Sequence, residues 1–257
     1  MKRVRFAAGG RVHHGEFRDG WLLDSAGRRY APREVVWLPP VVPTKVVGLA
    51  LNYADHAEEL GVRMPEEPAL FFKPPSSLIG HTAPVVYPAG VRHLHQEVEL
   101  AVVIGRRCRR VRPEDVWAVV RGYTIANDVT VRDFVGNFYR PPVRAKGYDT
   151  FCPVGPWVVE GEVEDPHALR LRAYVNGQLR QDGTTAHLVH RIPELVSFVS
   201  EIMTLEPDDL ILTGTPRGVD PVYPGDVMRL EVEGIGVLEN PVVSEEEEAG
   251  AGAVPAR

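Results

Sequence analysis

Apolar and polar positions along this chain repeat mostly with a period of two, in short runs broken by glycine, proline, asparagine and aspartate. That alternation marks strands with one buried face. Residues 46–49, 69–72, 98–104, 122–127, 154–160, 169–175, 210–213 and 227–232 read as strands. Asn176-Gly177 between two such runs is the signal of a two-residue hairpin, and residues 234–238 close a second hairpin after Gly225-Asp226 opens it. A helical period occurs in few places. Residues 52–61 carry it and Gly61 stops it, residues 192–203 carry it again, and residues 113–120 read as a short helix with proline and acids in its first turn. Mostly short strands with few helices predict an α+β, β-rich fold.

Residues 1–44 alternate small apolar runs with the turn signals Gly9-Gly10, Asp19-Gly20 and Ala26-Gly27, then reach Leu38-Pro39-Pro40. They predict a small β-rich N-terminal unit and a linker, ahead of a main domain over 45–244. The acidic, then alanine- and glycine-rich stretch 245–257 predicts a disordered tail. At 257 residues and 44% hydrophobic content, the chain suffices for one large core and an accessory piece.

A net charge of −6 without a basic block argues against a nucleic-acid surface. No long apolar run is present, so a cytoplasmic protein without a membrane segment is the expectation. Cys108 and Cys152 lack the spacing of a disulfide framework or a zinc site. Lysine is scarce: the 29 Lys and Arg include only Lys2, Lys45, Lys73 and Lys146. A lysine kept among so many arginines suits a compact point charge.

Glu97 and Glu99 stand at the start of a run that otherwise reads as buried strand. Residues two apart share a strand face, so both carboxylates point one way while Val98, Leu100, Val102 and Ile104 pack on the other. Two buried carboxylates need protonation, an Arg or Lys partner, or a metal. Asp128 ends a second strand and adds a third oxygen donor, a set suited to one Mg²⁺ or Mn²⁺ ion per site rather than zinc. Taken alone, Glu97 and Glu99 also fit a strand edge paired with Arg92 or Arg106, and Asp128 a turn cap.

Asn52-Tyr-Ala-Asp-His56, Phe72-Lys-Pro74, His95-Gln-Glu-Val-Glu-Leu100, Asn127-Asp-Val-Thr130, the run from Ala145-Lys146 to Pro156, and Thr213-Gly-Thr-Pro-Arg-Gly-Val219 follow one another in an order that resembles the fumarylacetoacetate hydrolase family. The likeness covers about residues 46–242. It implies the family's mixed β-sandwich roll, a homodimer, and a small 2-oxo acid as substrate. It also implies Glu97, Glu99 and Asp128 as metal ligands, and His56 with Glu59, three apart on a lid helix, as an acid/base pair. Lys146 takes the place of the active-site lysine, and Lys73, Arg132, Gly214 and Thr215 those of substrate-binding groups. Tyr139-Arg140-Pro141 stands where a Gln-Trp pair is common. That departure is similar to the family's isomerase/decarboxylase branch of homoprotocatechuate breakdown, with Tyr139 and Arg140 beside di- and tricarboxylate substrates. The resemblance therefore implies metal-dependent decarboxylation and isomerisation through an enolate. Acylpyruvate or fumarylpyruvate hydrolysis is the alternative, and non-catalytic metabolite binding a more distant one.

Overall fold

In the computed structural model, which describes residues 1–136 and 141–250, alternation in the first residues yields five strands. These are β1 (Lys2–Ala8), β2 (Arg11–Arg18), β3 (Trp21–Asp24), β4 (Arg29–Tyr30) and β5 (Val36–Leu38). Their inward residues Val4, Phe6, Leu22 and Trp37 form a small core of their own. The main domain follows with β6 (Val46–Ala50), α1 (Ala54–Leu60), β7 (Ala69–Lys73), β8 (Leu78–Ile79), β9 (Val85–Tyr87), β10 (Leu94–His95), β11 (Val98–Ile104), β12 (Val120–Asn127) and β13 (Thr130–Val131). Then come α2 (Val143–Lys146), β14 (Cys152–Val159), β15 (Arg170–Val175), β16 (Gln178–Thr184), α3 (Ile192–Ile202) and β17 (Leu210–Leu212). The last are β18 (Pro221–Val222), β19 (Val227–Val232), β20 (Gly236–Ser244) and α4 (Glu245–Gly250).

The large sheet runs β4-β3-β2-β1-β14-β12-β11-β17-β6-β7, with β5 beside β1 and β8 beside β14. The N-terminal unit continues this sheet, because β1 pairs with β14 at Lys2↔Val159 and Arg3↔Val158. A second sheet runs β16-β15-β19-β20-β9, and β13-β10-β18 form a third. Strand β11 is buried along its whole length and packs on both faces. Val98, Leu100, Val102 and Ile104 meet Leu171, Ala173, Leu230 and Leu238 of the second sheet. Ala101 and Val103 lie in a separate cluster with Val46, Ala126, Val154, Leu210 and Leu212. Each large side chain so buried contributes about 1.5–3 kcal/mol. Helix α3 adds Ile192, Leu195, Val196 and Val199, the spacing of one helical stripe, to the first cluster.

Two local expectations are corrected. Residues 113–120 form only a 3₁₀ turn, Pro113–Ala118, in which Val116 alone is buried, too narrow a face to stabilise an α-helix. Residues 245–250 are helical rather than disordered, and a reciprocal cap explains it. The Ser244 N–H donates to Glu247 Oε2 at 2.8 Å while the Glu247 N–H donates to Ser244 Oγ at 3.2 Å. Residues 251–257 lie outside the described part.

Candidate active site

Pairing register brings the acids together. Val98 opposes Asn127 in the β11–β12 ladder, so Asp128 emerges from the end of β12 beside Glu97. The Asp128 N–H donates to the Glu97 carbonyl at 3.0 Å, and the Glu97 N–H to Asn127 Oδ1 at 2.9 Å. On the other flank Ala101 opposes Leu212 in β17, which carries Gly214 to Glu99. The Gly214 N–H donates to Glu99 Oε2 at 2.6 Å. Glu97, Glu99 and Asp128 are all buried, and one oxygen from each lies within 4.8 Å of the other two.

Three cations surround them. Arg132 pairs with Glu97. Lys146 pairs with Asp128, lies 3.2 Å from Glu97 Oε2, and donates to Thr130 Oγ1 at 2.8 Å. Lys73 donates to Asp128 Oδ1 at 2.7 Å and to the Val129 carbonyl at 3.2 Å. The Lys146 ammonium also sits 4.6 Å above the centre of the Phe71 ring. That ring lies against bare backbone, since a Cβ on Gly48 would come within 2.1 Å of it.

Formal charge balances three against three, but its distribution is uneven. Burial opposes the ionised form of Glu97, yet Arg132, Lys146 and His56 hold its carboxyl far below the usual range. For Lys146, burial is outweighed by Asp128 and Glu97, which hold its ammonium above the ordinary value. Glu99 has no cationic partner among the described residues. Burial, then Asp128 and Glu97, push its carboxyl well above the ordinary value. A buried, oxygen-only donor set with one carboxylate left without a counter-charge fits a hard divalent cation. The alternative pairing of Glu97 and Glu99 with Arg92 or Arg106 is not seen among the described residues, where Glu97 pairs with Arg132 and Lys146.

Helix α1 carries the second group of residues. His56 is buried, and its Nδ1 lies 3.0 Å from Glu59 Oε2. The other oxygen of Glu59 accepts from the Gly218 N–H at 2.9 Å. Gly61 ends the helix in the left-handed region at φ 65°. Its base is fastened by Asn52, whose Nδ2 donates to the His190 and Thr213 carbonyls at 3.0 and 2.8 Å while Oδ1 accepts from the His190 N–H at 2.7 Å. The Tyr53 hydroxyl is buried without a hydrogen-bond partner among the described residues, and burial, with the charge of Glu99 next, raises its pKa.

Eight expected residues thus fall into two groups: Glu97, Glu99, Asp128, Lys73, Lys146 and Arg132 form one cluster, and His56 with Glu59 the other. Residues 213–218 touch both, through Gly214 and Gly218. The cations are engaged with the acids rather than standing free. Gly214 and Thr215, expected as substrate contacts, are bonded within the protein: the Gly214 N–H donates to Glu99, and the Thr215 hydroxyl donates to the Val98 carbonyl at 2.9 Å and accepts from Gln181 at 2.8 Å. Both brace the site from within. Tyr139 and Arg140 lie outside the described residues. Sequence reasoning passed over Asn52, Thr130 and Gln181. Gln181 carried a signal, since it opposes core residue Ala173 and so is a polar side chain at a core-facing strand position.

Comparison with known proteins adds the following. The family profile described as fumarylacetoacetate (FAA) hydrolase C-terminal matches residues 45–243. The 4-hydroxyphenylacetate degradation bifunctional isomerase/decarboxylase of Salmonella dublin is 50% identical over 199 residues, 77% of this chain and 46% of that protein. The chain therefore spans about half the length of that curated relative. The crystal structure of 5-carboxymethyl-2-hydroxymuconate delta-isomerase from Mycobacterium smegmatis superposes with a TM-score of 0.86 at 43% identity, covering 95% of this chain and 99% of that one. Maleylpyruvate hydrolase from Sphingobium sp. SYK-6, in complex with manganese(II) and pyruvate, superposes at 0.81 with 33% identity over 95% of this chain and 99% of that one.

Proposed function

The chain belongs to the fumarylacetoacetate hydrolase family, and from that premise we propose that it is a Mg²⁺- or Mn²⁺-dependent isomerase/decarboxylase of di- and tricarboxylic 2-oxo acids. Its substrates would be of the type of 5-oxopent-3-ene-1,2,5-tricarboxylate and 2-hydroxyhepta-2,4-diene-1,7-dioate. One observation carries the reading: three buried carboxylates converge, and Glu99 among them forms no ion pair among the described residues. The names of the Salmonella and Mycobacterium relatives support the branch.

Glu97, Glu99 and Asp128 would hold the cation, which would supply Lewis-acid charge to the oxygens of a 2-oxo acid. The remaining work falls to side chains of this chain. With Nδ1–H donated to Glu59, His56 keeps Nε2 to move the proton, and the Glu59 carboxylate holds the ring in that tautomer. Lys146, Lys73 and Arg132 ring the acids and supply positive charge to substrate carboxylates. The buried Phe71 ring shields the Lys146 ammonium from water, which strengthens its field at the site. A cytoplasmic homodimer belongs to the same proposal, and size-exclusion chromatography with light scattering tests the assembly.

Hydrolysis of a 2,4-dioxo acid is the second reading, favoured by the likeness to the maleylpyruvate hydrolase. There His56 would activate water instead of shuttling a substrate proton. CO₂ release from 5-oxopent-3-ene-1,2,5-tricarboxylate with Mg²⁺, repeated after EDTA, separates the two. Release that EDTA abolishes supports the isomerase/decarboxylase. Metal binding without release, together with cleavage of acylpyruvates, assigns the hydrolase.

A further inference from the structure

Two carboxylates of the site, Glu99 among the acids and Glu59 on α1, are held by main-chain N–H groups of a single loop. Gly214 donates to Glu99 at 2.6 Å and Gly218 to Glu59 at 2.9 Å. Both glycines occupy the left-handed region, at φ 94° and 99°. A Cβ on Gly214 would lie 2.8 Å from Asn52 Cβ, and one on Gly218 would lie 2.2 Å from the Arg180 carbonyl oxygen. Neither position admits a side chain, so backbone conformation alone aims the two N–H groups.

Between them the loop is tied to the acid-bearing strand by Gln181, which is fully buried on β16. Its Nε2 donates to Thr215 Oγ1 and to the Pro216 carbonyl, each at 2.8 Å, and its Oε1 accepts from the Val98 N–H at 3.0 Å. Thr215 completes the link by donating to the Val98 carbonyl. Val98 is the residue between Glu97 and Glu99. One amide therefore joins the strand that presents the acids to the loop that steadies both Glu99 and Glu59.

We infer that Gln181, with the Gly214 and Gly218 N–H groups, is a positioning brace that sets the distance between the acid cluster and the His56–Glu59 pair. The inference rests on the reading of that pair as the proton-transfer group. Gln181 touches no reacting atom. It acts by keeping two carboxylates from different elements in fixed relation, and a small displacement between them costs rate more than binding.

The test uses the full chain with Mn²⁺ and reads backbone amide exchange alongside kinetics. Glu59 is partly exposed on α1, and a circular dichroism spectrum and melt matching wild type are required of each of its variants. In Glu59→Ala the Gly218 amide loses its acceptor and exchanges about tenfold faster. In Glu59→Gln the side-chain carbonyl still accepts, and protection returns although the charge is gone. In Gln181→Met, similar in size without donors, both Gly214 and Gly218 exchange faster and kcat falls about tenfold with KM within about twofold. Unchanged Gly218 exchange in Glu59→Ala overturns the brace. So does a Gln181→Met enzyme with wild-type exchange and wild-type kcat. His56→Ala separates the brace from the functional reading: an unchanged rate removes the proton-transfer pair, while the exchange results stand by themselves.

Discussion

Glu97 and Glu99 are two residues apart on one strand but opposite in their bonding. Glu97 is bound to Arg132 and Lys146, so Glu97→Gln weakens the pairing of one half-buried and one buried cation. We expect a loss of about 3 kcal/mol in chemical unfolding with EDTA present, and an activity at least about a hundredfold lower with metal. Glu99→Gln removes a buried carboxylate that forms no ion pair among the described residues, and the new amide can accept from Gly214 and donate to Asp128 or Glu97. The metal-free variant should therefore be more stable than wild type by about 1 kcal/mol, yet gain less in melting temperature on adding Mg²⁺. Equal gains for the variant and wild type would remove Glu99 from the ligand set. Asp209 shows the same rule outside the site. Its buried carboxylate pairs with Lys45 and accepts from Thr44 N and Oγ1, Lys45 N and Glu206 N at 2.7–3.1 Å. Burial opposes ionisation there, but those hydrogen bonds win and hold the pKa below the ordinary value. A folded pKa below the unfolded one adds stability that is complete above about pH 4 and lost as pH falls through the folded value. Asp209→Asn should cost about 1–3 kcal/mol near neutral pH, and the gap to wild type should narrow in melts below about pH 4.

At the scale of elements, the turn between β15 and β16 is the simplest case. Asn176 and Gly177 adopt φ 51° and 76°, the pair that a type I′ turn requires. Gly177→Ala should cost about 1 kcal/mol in a denaturant titration without changing the metal response, since the turn lies in the second sheet, away from the acids. Elements of this kind were legible in the sequence because their signals are local: a nearly unbroken apolar run for β11, alternation for β15, a glycine stop for α1, an Asn-Gly pair for the turn. The short helix α4 was also written locally, as Ser244-x-x-Glu247, but the acidic composition hid it. Partners were not legible. Nothing near Glu99 announces that β17 will lie beside β11, so the hydrogen bond from Gly214 to Glu99 appears only once the ladder is known. Gln181 escaped for the same reason, since its three partners come from β11 and from the loop after β17.

Across the whole molecule, the N-terminal unit is joined to the main domain by little main chain. Two residue pairs link β1 to β14, so side chains must do much of the holding. Phe17 stacks on Trp157 at 4.5 Å, Trp37 lies 6.3 Å from the same indole, and the Lys2 ammonium sits 4.7 Å above it. The indole N–H donates to the Ile235 carbonyl at 2.7 Å. Trp157→Ala should therefore cost about 3 kcal/mol and loosen residues 1–44 first, seen as faster amide exchange in β1 and β2 while β11 stays protected. Among the described residues no helix is long and apolar enough to cross a membrane. The contacts that build the site span long stretches of chain: Glu99 and Gly214 are 115 residues apart, Glu59 and Gly218 are 159 apart. Closing such loops is slow, and it is rewarded only once the central ladder has formed. No partly folded species can hold the acids and the imidazole in register, so in refolding the return of catalysis should trail the return of secondary structure and mark the last kinetic phase.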